Sequence, residues 1–305
     1  MNPKSVYLIL LGIIAVTALV LGVISIVKVT GKKKSKVPDP ATESLAMKRK
    51  SRVSKPTTMF FQTWKTSTLP KELRTYAEAW QTMNPNYKYQ LFGNEGCRSY
   101  IRANFGEREL KAFDTLAPGA FKADLFRYCV LYHEGGVYSD IDVEPLVPIE
   151  EFVSPKDDFV SIRERGEIPG VYQAFMVCQK PRLPFLKMLI DHIVQCTNEK
   201  YYPPFPPKKD SADFWTILLS ITGPVALANC ISNYSGIPAP FKPGISVIGK
   251  NITMKLLSFK SHLEVQDESG KVVLNTKVPE YKGASNSYHD MFLKHKIYDE
   301  PIYYK

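Results

Sequence analysis

Hydrophobic positions along this chain fall into two regimes. From Val6 to Val27 no charged residue interrupts 22 positions, and a helix rising about 1.5 Å per residue would carry them about 33 Å, enough to cross a hydrocarbon core. Beyond a polar stretch, short apolar runs alternate with segments of helical period. Thr58 to Trp64 is β-prone and predicts a first buried strand, Lys71 to Met83 a helix, and Tyr87 to Phe92 a second strand. Helical spacing returns over Glu95 to Asn104 and Glu107 to Leu116. Pro118 opens a longer helix with Phe121, Leu125, Tyr128, Cys129 and Tyr132 on one stripe, and the Gly135-Gly136 pair stops it. Val137 to Val143 follows as a strand.

Phe159 to Arg163 and Val171 to Gln179 predict further strands, and Leu183 to Cys196 a helix. Phe214 to Asn233 predicts a helix, a Gly-Pro break and a second helix. Ser246 to Lys277 predicts short strands with a hairpin across Asp267 to Gly270. Strands alternating with helices, then a β-rich end, imply an α/β fold around a mixed, largely parallel sheet. The chain divides into an apolar anchor (1–28), a basic flexible stem (29–55) and one folded domain (56–305).

Charge changes the picture once it is located. The net charge is +10, but Lys28 to Lys55 holds ten Lys/Arg against Asp39 and Glu43 alone, and residues 56–305 carry 29 basic and 28 acidic side chains. The basic excess is a stem, not a nucleic-acid surface, and no recognition motif accompanies it. The apolar run reads as a retained transmembrane helix; a cleaved signal peptide is the other reading, but its apolar region is about 7–15 residues. Orientation has two readings. The cluster Lys28, Lys32, Lys33, Lys34 and Lys36 after the helix keeps the domain cytoplasmic by the positive-inside rule, whereas the sequons Asn233-Tyr-Ser and Asn251-Ile-Thr suit a lumenal domain. Five widely spaced cysteines form no Cys-x-x-Cys pair and read mostly as small core residues, one disulfide remaining open.

Candidate chemistry concentrates in Pro118 to Pro145. Alternation along the expected strand would put Asp140 and Asp142 on one face, their Cα atoms about 6.5–7 Å apart. One hard cation would then sit between the carboxylates with positions open for diphosphate oxygens. An acidic strand end facing solvent is the alternative for an Asp-x-Asp taken alone. Asp124 and Arg127, three apart on the preceding helix, share a face directed at the same sheet edge. They read either as a donor-contacting pair, a sugar or ribose acceptor beside a phosphate or sugar ligand, or as a helix-surface ion pair.

These residues resemble glycosyltransferase family 32, the Asp-x-Asp sugar-binding family of yeast-type α-mannosyltransferases. The resemblance lies in Lys122-Ala123-Asp124, Arg127-Tyr128, Leu131-Tyr132, Gly135-Gly136-Val137-Tyr138 and Asp140-Ile141-Asp142. Phe61-Gln62-Thr63-Trp64-Lys65 is similar to the family's first-strand His-Gln-Thr-Trp-Lys with Phe61 in the place of His, and Asn84-Pro85-Asn86-Tyr87-Lys88-Tyr89 to its Asn-Pro-Gly-Tyr-x-Tyr. Thr222-Gly223-Pro224 matches its Thr-Gly-Pro, and Asn286-Ser287-Tyr288-His289 its Asn-Ser-Trp-His with Tyr288 for Trp.

The resemblance implies a GT-A type nucleotide-sugar-binding fold and a retaining hexosyl transfer, mannose being the family-based guess, with Asp124, Arg127 and Asp142 as catalytic residues. It implies donor binding by Gln62, Thr63, Trp64, Asp124, Arg127, Tyr138, Asp140, Gly223 and Ser287, and Mn²⁺ or Mg²⁺ held by Asp140, Asp142 and His289. The donor would be GDP-mannose or a UDP-hexose and the acceptor a glycan or glycolipid, in a single-pass Golgi membrane protein with a lumenal domain. Trp64 is equally readable as core and His289 as a surface loop residue. A protein-glucosylating transferase and a non-catalytic metal- or sugar-binding membrane protein are the alternatives.

Overall fold

A computed structural model describes residues 58–204, 211–276 and 288–299. The apolar run Val6 to Val27, the basic stem and Ser287 lie outside them. Among the described residues no helix is long and apolar enough to cross a membrane.

The first half alternates as the pattern predicts: β1 (Met59–Thr63), α1 (Lys71–Met83), β2 (Lys88–Phe92), α2 (Asn94–Asn104), α3 (Glu107–Thr115), α4 (Gly119–Glu134) and β3 (Gly136–Ser139). A turn leads to β4 (Val143–Pro145), then β5 (Phe159–Arg163), β6 (Val171–Cys178), α5 (Pro184–Glu199), α6 (Ala212–Leu218) and α7 (Pro224–Ser235). The β-rich end is β7 (Gly244–Ile248), β8 (Ile252–Phe259), β9 (Glu264–Gln266) and β10 (Val272–Thr276), followed by the short α8 (Tyr288–Leu293). All five cysteines are buried and free.

The strands form one sheet in the order β2-β1-β3-β6-β5-β8-β9-β10-β4, with β7 beside β8. It is mixed, but not largely parallel: of nine strand pairings among the described residues, only β1 with β2, β1 with β3 and β5 with β8 are parallel. Helical crossovers make the β1 pairs parallel, tight turns make β7–β8, β8–β9 and β9–β10 antiparallel, and β3–β6 and β4–β10 pair antiparallel across distant segments.

Topology also bends the sheet. β3 and β4 stand six places apart in the strand order, about 29 Å in a flat sheet at ~4.8 Å per strand. Only three residues, Asp140 to Asp142, join them, and that link reaches about 14 Å at most. The sheet therefore curls, and β8 makes the corner by pairing through Met254–Leu257 with β5 and through Ser258 and Phe259 with β9. The Asp-x-Asp residues sit at the seam where the curl closes.

Alternation along the central strands builds two cores. Phe61 and Tyr138 point to the side of α4, α5 and α7, whereas Phe60, Val137 and Val177 point to the opposite side with Trp80 of α1. Phe61 is buried beside Phe92, with ring centroids 6.3 Å apart. The position where the resembled family carries His is thus ordinary apolar core in this chain.

Candidate functional site

Helix α4 is where the site begins. Its ends follow the local sequence: Pro118 stands at the N-cap, and Gly135 ends it with φ +70°. Gly136, at φ +90°, starts β3 so close to β1 that a Cβ there would lie 2.5 Å from the Met59 carbonyl oxygen. The glycine pair therefore serves a close approach of strand to strand.

The expected stripe of Phe121, Leu125, Tyr128, Cys129 and Tyr132 packs into one core cluster, but burial extends beyond it. Every residue from Asp124 to Leu131 is buried, so Asp124 and Arg127 lie in the interior and must find partners there. Arg127 commits all three guanidinium nitrogens. Nε donates to the Ala123 carbonyl (3.3 Å), Nη1 to the Gln173 carbonyl (2.9 Å) and to Asp140 Oδ2 (3.3 Å). Nη2 lies 3.1 Å from Asp124 Oδ1 and 3.0 Å from Asp140 Oδ1, and the guanidinium stacks 4.6 Å from the Tyr138 ring centroid. This is a buried bidentate clamp on the first aspartate of the Asp-x-Asp, not a helix-surface ion pair.

Asp124 is satisfied from three directions. Besides Arg127, Thr222 Oγ1 donates to Oδ2 (2.7 Å) and Gln173 Nε2 to Oδ1 (2.5 Å). Burial pushes the carboxyl up to about 7, with Arg127, Thr222 and Gln173 opposing that shift. The Tyr128 hydroxyl is within hydrogen-bond reach of the Thr222 carbonyl (2.9 Å) and the Gln173 side-chain oxygen. Gln173 was not among the residues singled out in the sequence, and Thr222 was read there only as part of the Thr-Gly-Pro motif, without a site role. A lone Gln inside the apolar run Val171 to Cys178 was the available signal.

Asp140 and Asp142 do not alternate along a strand. β3 ends at Ser139, and Asp140 to Asp142 turn, with Val143 N donating to the Asp140 carbonyl at 3.2 Å. The neighbouring strand β6 is irregular on its other edge. Between Val160 and Ile162 its partner β5 advances two residues while β6 runs five, from Val177 to Tyr172. Ser161 Oγ fills this bulge, 2.9 Å from the Tyr172 carbonyl and 3.1 Å from that of Phe175. The Ala174 carbonyl takes Asp140 N (2.7 Å), which carries the β3–β6 register one residue past Ser139, and the Gln173 carbonyl takes Arg127.

Asp140 also accepts from the Tyr138 hydroxyl (3.0 Å), itself 2.9 Å from Thr63 Oγ1. Its carbonyl accepts from Gln62 Nε2 (3.1 Å), whose side-chain oxygen takes the Tyr89 hydroxyl (2.9 Å). Gln62, Thr63, Tyr138, Asp124 and Arg127 are thus brought together around Asp140, whose side chain keeps 30% of its exposure. Asp142 is half-buried beside it. Both aspartates, with Asp142 ahead of Asp140, help burial to push the Tyr172 hydroxyl upward.

The remaining expected residues are spread more widely. Trp64 is half-buried against the Leu69, Leu73, Ala77 and Ile141 cluster with Lys65 Nζ 5.8 Å from its ring centroid. Gly223 caps α7, where a Cβ would crowd the Leu219 carbonyl at 3.0 Å. His289 lies edge-on to Phe214 (5.0 Å) and stacked on Trp215 (5.4 Å), Nδ1 3.5 Å from Asp290. No three His, Cys, Asp or Glu side chains are grouped to hold a metal among the described residues. The trio Asp140, Asp142 and His289 is therefore not assembled, because aromatic packing holds the imidazole. The two turn carboxylates are oxygen donors of the kind a hard divalent ion takes, and Asp140 is accessible enough to share, so this pair fits such an ion.

Residues 70–160 match the family described as the glycosyltransferase sugar-binding region containing a DXD motif. The initiation-specific alpha-1,6-mannosyltransferase of Candida albicans is 32% identical over 91 residues, 29% of this chain and 24% of that protein. Inositol phosphoceramide mannosyltransferase 3 of Schizosaccharomyces pombe is 29% identical over 156 residues, 51% of this chain and 39% of that protein. The chain thus matches well under half the length of either relative. Among solved structures, the PaToxG glycosyltransferase overlays 58% of this chain and 69% of its own at a TM-score of 0.40 and 14% identity, a likeness too loose to carry weight.

Proposed function

We propose, from the premise that this chain belongs to the DXD-containing sugar-binding glycosyltransferases of family 32, that it is a retaining hexosyltransferase. It moves a hexose, mannose on the model of the named relatives, from GDP-mannose or a UDP-hexose to a glycan or glycolipid acceptor. The curled mixed sheet is read as GT-A type. The single observation that carries this reading is the clamped turn: Arg127 and Tyr138 hold Asp140 while Asp142 stands beside it at the seam of the sheet.

Mn²⁺ or Mg²⁺ held by Asp140 and Asp142 would neutralise the charge that develops on a departing nucleoside diphosphate. The chain's own residues supply the preorganisation. Arg127 grips both oxygens of Asp140 and so fixes its rotamer before any ligand binds. Asp124 joins α4 to β6 through Gln173 and to the α7 cap through Thr222. On this geometry Asp124 and Arg127 act first as positioning residues. We place the domain in the Golgi lumen behind a single N-terminal span. Asn233 and Asn251 are both exposed, so a gel shift on glycosidase treatment, lost in Asn251→Gln or Asn233→Gln, reports that orientation; no shift on either would favour the cytoplasmic side.

The activity is tested by nucleotide release from a panel of sugar donors by the full chain, with Mn²⁺, Mg²⁺ or EDTA. The expected result is metal-dependent turnover of one donor, falling at least about 100-fold in Asp142→Ala. Metal-independent release, or release unchanged in that variant, would sink the reading.

A further inference from the structure

The link from α3 to α4, Leu116-Ala117-Pro118, is crossed by a segment that follows α8. Ala117 N donates to the Ile297 carbonyl (2.9 Å) and Asp299 N to the Thr115 carbonyl (2.7 Å), so Leu116 and Tyr298 make an antiparallel bridge. Leu116 and Ile297 are both fully buried. One rung of sheet is thus laid over the start of the helix that carries Asp124 and Arg127.

The strap is shaped locally and fastened from a distance. Its bend is a Schellman ending of α8: His295 takes φ +53°, its N–H donates to the Phe292 carbonyl (3.0 Å), and Lys296 N donates to that of Met291 (2.8 Å). The fastening comes from the chain that leaves α5. Ile297 N donates to the Tyr202 hydroxyl (3.0 Å) and the Tyr298 hydroxyl to the Tyr201 carbonyl (2.8 Å). The Tyr202 ring stacks on His295 at 4.5 Å and lies 5.4 Å from the Tyr298 ring. Removing the Tyr202 hydroxyl takes the partner from the N–H of a residue with no exposed surface.

Lys122, the first residue of the motif that ends at Asp142, belongs to the same junction. Its Nζ donates to the Phe113 carbonyl (2.9 Å), 5.0 Å from that ring's centroid, and burial pushes the ammonium pKa down against the pull of Asp114 and Asp299. From α8, Tyr288 packs on Phe121 with centroids 5.9 Å apart. The first turn of α4 is therefore set by the strap, α8 and the end of α3 together. Arg127 stands nine residues beyond Pro118, about 13 Å along the axis, so a tilt of about 5° at that turn carries the guanidinium about 1 Å. That is enough to spoil contacts made at 2.9 and 3.3 Å.

We propose that Tyr202 is a positioning residue for the reaction site: by holding Ile297 it keeps the strap on Leu116, and the strap fixes the first turn of α4, from which Arg127 is aimed at Asp140. The inference rests on the reading of Asp140 and Asp142 as the divalent-ion pair of a glycosyl transfer and extends it to a side chain outside that site.

The test compares the full chain with Tyr202→Phe, which deletes one hydroxyl and keeps the ring, and with Tyr201→Phe as control, since the strap bonds to the Tyr201 backbone carbonyl. Amide exchange is followed at Ala117, Ile297 and Asp299 in the strap and at Asp140 and Val143 in the turn, whose N–H groups are bonded at 2.7 and 3.2 Å. Mn²⁺ alone is titrated by electron paramagnetic resonance. In Tyr202→Phe the strap amides should exchange about tenfold faster, the turn amides faster with them, and Mn²⁺ should bind at least about threefold more weakly. The amides of α1 should not change, and Tyr201→Phe should match the unmodified chain. Unchanged strap amides overturn the proposal, and so does a loosened strap with either the turn amides or the Mn²⁺ affinity unchanged, which leaves Tyr202 a purely structural role. Faster exchange throughout the domain, or an equal effect of Tyr201→Phe, overturns it as well. If the unmodified chain binds no Mn²⁺ and releases no nucleotide, that counts against glycosyl transfer, while exchange at Asp140 and Val143 still decides whether the strap aims the turn.

Discussion

The central strands β1, β3 and β6 carry two faces stabilised by opposite means. Towards α1, Phe60, Val137 and Val177 meet Trp80, Phe152 and Phe175 in a dry core, whose indole N–H is spent on the Val143 carbonyl at 2.8 Å. Towards α4, the same strands bury Asp124 and Arg127 with Gln173 and Thr222. The dry face gains from area removed from water and tolerates imprecise geometry. The charged face gains little net stability from its ion pairs, since desolvation offsets attraction, but it leaves Asp140 one orientation. The contrast separates what keeps this domain folded from what keeps its turn aimed.

The widest break in that contrast is expected from Arg127→Ala. It strands two carboxylates, one fully buried, so unfolding free energy should fall by about 3–5 kcal/mol and nucleotide release should drop with it; urea denaturation beside a turnover assay checks both. Arg127→Lys should recover little, because one ammonium cannot grip Asp124 and Asp140 in the same plane. Phe60→Ala on the dry face should cost about 3 kcal/mol by leaving a cavity beside Trp80, 4.9 Å away, yet leave donor affinity of the folded fraction unchanged. A shifted donor affinity there would show that the two faces are coupled.

Tyr138→Phe removes the hydroxyl that touches Asp140 and Thr63. About 1.5 kcal/mol of stability is at stake, and a larger loss in turnover than in stability would show that it acts by aiming Asp140. The Asp124 comparison is read as a slope across pH. The folded Asp124 carboxyl keeps a proton up to about 7 while the unfolded one releases it near 3.8. Between those values the native state binds more protons, so stability falls as pH rises through about 7. Asp124→Asn should flatten that slope in thermal melts recorded across the window; an unchanged slope would assign it to other groups.

Much of the architecture was legible because hydrophobic period is a local property. Helix α1 and strand β5 fall at the residues the pattern predicts, and Gly135-Gly136 ends α4 as expected. The strand over Val137 to Val143 failed for an equally local reason. An apolar–acidic alternation is the same whether the chain continues straight or turns, and the last pairing before the turn, Asp140 N with the Ala174 carbonyl of β6, is made with a residue more than thirty positions later. The parallel character of the sheet was overestimated because the antiparallel pairs of β3 with β6 and β4 with β10 join segments distant along the chain.

Sequence alone determined the α/β class, the chemistry-bearing segment from Lys122 to Asp142 and its resemblance to the DXD-containing sugar-binding region, since motif and period survive without a fold. Tertiary structure alone decided that Asp124 and Arg127 are interior, that Gln173 and Thr222 complete their network, and that His289 is held by Phe214 and Trp215. Burial and long-range pairing set these outcomes. A buried charge is defined by the groups that surround it, and those arrive from strands and caps that no window of sequence contains.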